Sequence, residues 1–158
     1  MAYLKKLKVT YTRERVKDDF LQKPVKNPKQ VYELFREMEN ETREKVVCLH
    51  LNNQLEILSY EVVGMGNNKR VLLDVQGIYR GALVSLASSI IIVHNHPNGL
   101  CEPSKQDERA YISLLEPSGF MEIPIQDFII IGDDGYYSFD EKKKIKKTDK
   151  KIKKRTKK

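Results

Sequence analysis

The chain has 158 residues, of which 40% are apolar and 32% charged, enough for one domain with a hydrophobic core. Its net charge of +7 comes from one end, since residues 141–158 contain twelve Lys/Arg and two Asp/Glu, against 17 and 20 in the rest. Two cysteines do not make a disulfide framework, and no apolar run approaches the ~18 residues of a membrane span. With no apolar leader, we expect a cytoplasmic protein in a reducing setting.

The first part of the chain predicts one strand and one helix. Residues 7–11 alternate apolar and polar side chains and predict an edge strand. Asn27-Pro28 has the pattern of a helix N-cap followed by proline at the first helical position, which predicts a helix to about Asn40. Its apolar face is Val31, Leu34, Phe35 and Met38.

Two alternating segments follow and predict an antiparallel hairpin. They cover residues 44–51 and 55–63, and the polar residues 52–54 form the turn. Val46 and Cys48 fall on one side of the first strand, whereas Val47 and Leu49 fall on the other. We expect residues 64–68, which include two glycines, to form a loop.

The second half of the chain alternates helices with strands. Residues 72–87 predict a helix, 90–93 a buried strand, 125–131 a further strand and 136–139 a short last strand. A helix after Ser104 is expected to end before Pro117. The order predicts a mixed sheet with helices inserted, an α/β or α+β fold. The core-facing helix residues are predicted to be Ile78, Ala82, Leu83 and Leu86 in the first helix and Ala110, Tyr111, Leu114 and Leu115 in the second.

The strand over residues 90–93 is followed by a candidate metal site. Side chains alternate along a strand, so His94 and His96 project from one face, and Pro97 ends the ladder. Ser104-x-x-Asp107 then opens a helix. Two imidazoles and one carboxylate are a three-ligand set suited to zinc, with a fourth position for a water whose pKa falls towards ~7.

Hydrolysis at such a site also needs a general base. Asp107 is already used as a ligand, and the acid that begins the strand over residues 44–51, Glu44, is the candidate. The residues alone do not favour Glu44 over Glu41 or Glu56. Ser104 is either only a helix cap or also a hydrogen-bond donor to the oxyanion of a tetrahedral intermediate.

Structural interpretations of the same residues stay open. His94 and His96 together suit a pair of ordinary histidines at a strand end, although two imidazoles phased with a serine and an aspartate favour a metal site. His50 lies on another segment and is expected to be structural. Cys48 and Cys101 are expected to be ordinary residues, with contact between Cys101 and a metal as the lesser alternative.

The motif carries a family resemblance. His94-x-His96-Pro97 with Ser104-x-x-Asp107 resembles the JAMM motif of JAB/MPN metalloproteases, and His94-Asn95-His96-Pro97-x-Gly99 is similar to the RadC-like branch. The resemblance implies a cytidine-deaminase-like JAB/MPN fold, a mixed sheet flanked by helices. It implies zinc-dependent hydrolysis of a peptide or isopeptide bond. The implied roles are His94, His96 and Asp107 as metal ligands, Glu44 as base and Ser104 as a polarising group.

The sequence departs from that family in two places. Phe128 stands where the family usually has histidine, and residues 73–78 lack its Pro-Arg-Glu. A nucleobase deaminase would need His-x-Glu and Pro-Cys-x-x-Cys, and neither motif is present.

The domain organisation follows from the resemblance and the charge. Residues 1–43 are expected to pack on a RadC-like JAB/MPN domain over 44–140, and residues 141–158 to form a disordered lysine-rich tail. The expected partner is a peptide or protein substrate, with nucleic acid as a second partner through the tail. The alternative function is a DNA- or RNA-associated module, of the DNA-repair kind that the family's name suggests, with a structural or vestigial metal site. The tail is otherwise only a solubility segment.

Overall fold

The computed structural model describes residues 3–15, 23–66, 73–133 and 135–145. They contain a five-stranded sheet in the order β2-β1-β3-β4-β5. The β3–β4 pair is parallel and the other three pairs are antiparallel, so the predicted mixed sheet is confirmed. The strands are β1 (Lys45–Leu51), β2 (Ile57–Met65), β3 (Ser89–Asn95), β4 (Ile125–Gly132) and β5 (Gly135–Ser138).

Helices lie on both faces of this sheet. They are α1 (Pro28–Phe35), which continues as a 3₁₀ segment (Arg36–Asn40), then α2 (Val75–Val84), α3 (Lys105–Met121) and α4 (Phe139–Ile145). One core cluster joins one sheet face to α2 and α3, and a second joins the other face to α1. Because β1, β3 and β4 are covered on both faces, they are buried along almost their whole length.

The first helix begins as its sequence predicts. The Asn27 side chain accepts a hydrogen bond from the backbone N–H of Gln30, and Pro28 occupies the first turn. Val31 and Met38 are buried against the sheet, whereas Leu34 and Phe35 are half-buried. The predicted face is therefore the packed face, and the helix tightens to 3₁₀ geometry over its last five residues.

The hairpin β1–β2 is confirmed, with the predicted division of side chains between the two faces. The predicted loop over residues 64–68 is wrong at its start, because Gly64 and Met65 belong to β2. They pair with Val46 and Lys45, which extend the ladder beyond the predicted strand end. Residues 67 and 68 lie outside the described part of the chain.

The predicted edge strand over residues 7–11 is wrong. These residues form no strand, and the side chains of Leu7, Val9 and Tyr11 are all exposed. A segment with alternating apolar and polar residues forms a strand only when its backbone hydrogen-bonds to a neighbouring strand. Just after this segment, Glu14 accepts a hydrogen bond from the Tyr60 hydroxyl of β2.

Helix α2 is shorter than the prediction for residues 72–87. Residue 72 lies outside the described residues, and Asp74 caps the helix by accepting from the N–H of Gly77. Ile78 and Ala82 are buried as expected, but Leu83 and Leu86 are exposed. The helix has ended before Leu86, whose φ of 53° turns its side chain away from the core.

The prediction that α3 ends before Pro117 is also wrong, because the helix continues to Met121. Contacts on both sides of Pro117 hold the helical path: the Tyr79 hydroxyl donates to the carbonyl of Leu114, and the Ser118 hydroxyl donates to the carbonyl of Ile123. Proline itself supplies no N–H for the helical hydrogen bond, so these contacts stabilise the helix on either side of it. Leu114 is buried, and Ala110 and Tyr111 are half-buried, but Leu115 is exposed, against prediction.

The C-terminal prediction needs one correction. The predicted disordered tail over 141–158 begins inside α4, which includes Phe139 and continues to Ile145. The helix starts there because Asp127 accepts from the N–H of Asp140 and the Ser138 hydroxyl accepts from the N–H of Glu141. Residues 146–158 lie outside the described residues. In the part of the chain that the structure describes, no helix is long and apolar enough to cross a membrane.

Candidate metal centre

The paired histidines stand at the end of the central strand β3. His94 is on the face of Ile92 and lies opposite Val46 of β1, and the residue is only 4% exposed. His96 lies just past the strand end, where its N–H still donates to the carbonyl of Ile131. The two ring centroids are 4.9 Å apart and the planes nearly perpendicular, at 87°. The predicted same-face arrangement is what the structure has.

The first turn of α3 supplies the carboxylate. Ser104 is the N-cap: its hydroxyl accepts from the N–H of Asp107, and Asp107 Oδ2 accepts from the Ser104 N–H at 2.7 Å, a capping box. The Ser104 hydroxyl also lies 2.6 Å from Asp107 Oδ2. The helix start therefore fixes the carboxylate in position, as the cap interpretation of Ser104 predicts.

Both imidazoles face this carboxylate. Asp107 Oδ1 is 3.5 Å from Nε2 of His94, and Oδ2 is 3.2 Å from Nε2 of His96. One ligand atom from each of the three residues lies within 4.8 Å of the others. This cluster, called the His–His–Asp cluster below, can hold a metal ion, and it is the one such group among the described residues.

The loop after β3 fixes the orientation of the His96 ring. Nδ1 of His96 lies 2.7 Å from the carbonyl oxygen of Leu100, an atom that can only accept, so Nδ1 carries the proton. In the neutral ring Nε2 then keeps its lone pair, which faces the other two members of the cluster. A backbone carbonyl in this position is what metal-binding histidines commonly use to fix their tautomer.

The charges of the cluster suit a cation. Burial alone would raise the pKa of Asp107, but hydrogen bonds from His96 and Ser104 outweigh it and hold the pKa at about 2. Burial, together with the neighbouring His96, lowers the pKa of His94 to about 4. Burial also acts to lower the pKa of His96, but the hydrogen bonds to Asp107 and to the Leu100 carbonyl raise it overall. At neutral pH Asp107 is ionised and His94 is neutral. His96 and Asp107 together favour binding of a proton between them, and a metal cation can take the place of that proton.

A cavity of about 160 Å³ opens beside the cluster, and Glu44 lines it. Burial raises the pKa of the Glu44 carboxyl, which is the direction expected for a group that takes up protons near neutral pH. The alternatives from the sequence lie elsewhere: Glu41 forms an exposed ion pair with Lys45, and Glu56 bonds to Asn52 at the other end of β1. Of the three acids, the cavity wall includes Glu44 alone.

Asn95 holds Glu44 in this position, a role that sequence reasoning missed. Its buried amide accepts from the N–H of Lys45 at 2.7 Å and donates to the carbonyl of Arg43 at 3.1 Å, so it binds the backbone on both sides of Glu44. The carbonyl of Glu44 itself accepts from the N–H of Gly66. A polar residue inside an apolar strand, on the face opposite the histidines, was the signal available in the sequence.

The remaining candidates lie away from the cavity. His50 is buried at the opposite end of β1, where its Nδ1 bonds to the hydroxyls of Ser59 and Ser85. Cys48 is fully buried in the core, and Cys101 belongs neither to the His–His–Asp cluster nor to the cavity wall. The structural interpretation of these residues agrees with their positions.

Comparison with known proteins gives a family match over most of the chain. The model of the RadC-like JAB domain matches residues 25–145. The UPF0758 protein pc1765 of Protochlamydia amoebophila is 34% identical over 129 residues, 81% of this chain and 54% of the relative. A UPF0758 protein of Methanosarcina mazei is 34% identical over 125 residues, 77% of this chain and 55% of the relative. The chain thus spans about half the length of the curated relatives it matches.

Proposed function

Because the chain belongs to the RadC-like JAB domain family, we propose that it is a zinc-dependent hydrolase that cleaves a peptide or isopeptide bond. The observation that carries the proposal is the His–His–Asp cluster, whose three ligand atoms converge within 4.8 Å at the wall of an open cavity. An acid that is not a ligand, Glu44, lines the same cavity.

The residues fit a catalytic zinc ion. His94, His96 and Asp107 would hold it, two imidazoles and a carboxylate being ligands that zinc accepts. The cluster has three members among the described residues, which is the number that leaves a position for water in catalytic sites. When bound, zinc would lower the pKa of that water and polarise the substrate carbonyl.

The protein's own side chains would carry the proton. We assign Glu44 to accept the proton of the attacking water and to pass it to the leaving nitrogen, because its raised pKa favours both steps near neutral pH. Asn95 keeps the backbone of Glu44 in place for this. The Ser104 hydroxyl donates to Asp107 and orients it. We also propose Ser104 as the donor to the oxyanion of the tetrahedral intermediate, a role that requires its one hydroxyl proton to turn from Asp107 to the oxyanion.

The experiment has two parts, metal content and hydrolysis. We expect about one zinc per chain in the purified protein and its loss in His94→Ala, measured by elemental analysis. With unstructured peptides and isopeptide-linked lysine peptides as the two substrate arms, Glu44→Gln is expected to retain zinc but to lose about 10²–10⁴-fold in rate. Glu41→Gln, three residues away in an exposed ion pair, is the matched control and is expected to keep full activity. Full activity in Glu44→Gln would reject the assignment of the base, and zinc retained in His94→Ala would reject the metal centre.

A second candidate function depends on the lysine-rich tail. Twelve Lys/Arg in residues 141–158 form a segment that can neutralise phosphates, whereas the rest of the chain is slightly acidic. In this alternative the protein is a DNA- or RNA-associated module. Its binding would depend on the tail, and the metal cluster would have a structural role.

A further inference from the structure

The cavity beside the His–His–Asp cluster has walls of two kinds. Seven polar or charged residues line it, including the three cluster residues and Glu44, together with four apolar ones. The four apolar residues, called the apolar wall below, are Val46, Leu73, Ala110 and Phe128. None of their side chains carries a charge or a hydrogen-bonding group, so they have no evident part in proton transfer or metal binding.

The apolar wall is directly continuous with the metal ligands. Val46 lies opposite His94 in the β1–β3 ladder. Ala110 follows Asp107 by three residues in α3, a spacing that puts both on one face of the helix. A substrate whose scissile carbonyl reaches the cluster can therefore place the side chain next to that carbonyl against this wall.

Phe128 forms the base of the apolar wall and is closely packed by its neighbours. It is 2% exposed on β4, next to Ile92 of β3. Its ring packs edge-on against Phe139 and Tyr111, with centroids 5.1 and 6.0 Å away. A charged substrate side chain placed against this ring would lose its water, and the ring itself offers it no hydrogen-bonding partner.

The size of the cavity limits what the wall can accept. A cavity of about 150 Å³ lined by apolar side chains holds a six-carbon ring, and this one measures about 160 Å³. Polar residues line the same cavity, so the apolar wall borders only part of this volume and suits a group smaller than a six-carbon ring. An aliphatic side chain of the size of valine or leucine fits this description.

From this arrangement we infer that Val46, Leu73, Ala110 and Phe128 form a specificity subsite for an aliphatic side chain next to the scissile carbonyl. The inference rests on the proposed hydrolase function and narrows its substrate class. It selects peptides with an aliphatic residue on the acyl side of the cleaved bond, in preference to glycine or a charged residue.

The test uses Co²⁺-loaded protein and two probes that bind a metal through the same group, acetohydroxamate and hexanohydroxamate. The visible absorption of the bound Co²⁺ reports binding without any need for hydrolysis. We expect hexanohydroxamate to bind about tenfold or more tightly, since each fully buried methylene contributes about fourfold. Ala110→Leu, which adds three carbons to the wall, is expected to abolish that preference. Ile112→Leu, on the exposed side of the same helix, should keep it.

Each outcome has a separate meaning. Equal affinity of the wild type for the two hydroxamates would overturn the subsite while leaving the metal centre intact, and so would a full preference in folded Ala110→Leu. Failure of the protein to bind Co²⁺ in a manner that depends on His94 would overturn the proposed function and the subsite with it. If Ala110→Leu does not fold, Leu73→Ser at the half-buried rim replaces it, with a weakened preference as the expected result.

Discussion

The side chain of Asn95 connects the strand that carries the histidines to the backbone around Glu44. It lies between the two histidines in sequence but projects to the opposite face, where it binds the backbone around Glu44. The end of β3 thus presents the two histidines of the His–His–Asp cluster on one side and fixes the candidate base from the other. A substitution of Asn95 therefore changes the position of Glu44 and removes no group that takes part in the proposed reaction.

We predict that Asn95→Ala lowers the free energy of unfolding by about 1–3 kcal/mol, because it leaves the Lys45 N–H and the Arg43 carbonyl without their partner. Urea unfolding measures the loss. Asn53→Ala, in the exposed hairpin turn, is the control and is expected to change stability little. Equal stability of the two variants would contradict the positioning role of Asn95.

His50 provides a pH test that does not depend on the metal centre. Burial lowers its pKa, against a smaller opposing effect of Glu61. The unfolded chain therefore binds a proton more readily than the folded one as the pH falls below about 6.5. The stability that depends on neutral His50 is complete above that pH and decreases below it, by at most about 1.4 kcal/mol per pH unit.

The measurement is the urea midpoint from pH 7.5 to 5.0 in wild type and in His50→Gln, which cannot titrate. We expect the wild type to lose more stability over this range than the variant. Parallel profiles would show that His50 takes up its proton equally in both states.

At the scale of elements, the loop from His96 to Cys101 depends on Gly132 at the end of β4. A Cβ on Gly132 would lie 2.5 Å from the carbonyl oxygen of Gly99 and 2.8 Å from the backbone nitrogen of Cys101. Only glycine allows this approach, and the loop it admits supplies the Leu100 carbonyl that orients the His96 ring.

Gly132→Ala is therefore expected to lower the free energy of unfolding by about 1–3 kcal/mol through overpacking against backbone. It should also weaken zinc binding, because the loop that fixes His96 must shift. Urea unfolding and competition with a chromogenic chelator measure the two effects. Gly119→Ala is a matched control: a Cβ there meets nothing within 4 Å, and alanine is the better helix former. A Gly132→Ala protein as stable as Gly119→Ala would contradict the close packing.

At the scale of the whole molecule, the candidate metal centre joins β3 to α3, a strand and a helix that belong to different layers of the fold. An ion bound only by the folded chain stabilises it, by about 2.7 kcal/mol at a free concentration 100 times its dissociation constant. We expect zinc to raise the Tm by several degrees, a chelator to reverse the rise, and His94→Ala to show no rise. Differential scanning calorimetry measures it, and an equal rise in His94→Ala would place the ion elsewhere.

The tail offers a second prediction at this scale, for the alternative function. Since α4 extends to Ile145, the deletion that spares the fold begins at residue 146 and removes nine Lys/Arg and one Asp. If the tail binds nucleic acid, its deletion should reduce both the affinity for duplex DNA and the dependence of that affinity on salt. Fluorescence anisotropy at several salt concentrations measures both, and an unchanged affinity would count against a nucleic-acid-binding tail.

Local sequence was sufficient for most of the elements and for the residues of the cluster. The apolar run before His94, the alternation that puts His96 on the same face, and the capping pattern Ser104-x-x-Asp107 each depend on residues within one turn or one strand. Short-range rules of this kind predict them correctly. The same applies to the β1–β2 hairpin, and it explains why the mixed sheet could be anticipated.

Tertiary structure decided what depends on distant partners. The sequence did not distinguish three acids. Glu44 is beside the cavity because Asn95, 51 residues further along the chain, binds the backbone on both sides of it. Helix α3 passes Pro117 because contacts from outside the helix hold both flanks, and residues 7–11 form no strand because none of the described strands pairs with them. The periodicity of a segment indicates which of its faces is apolar. Whether that face is buried depends on strand pairing and packing with segments that are remote in sequence.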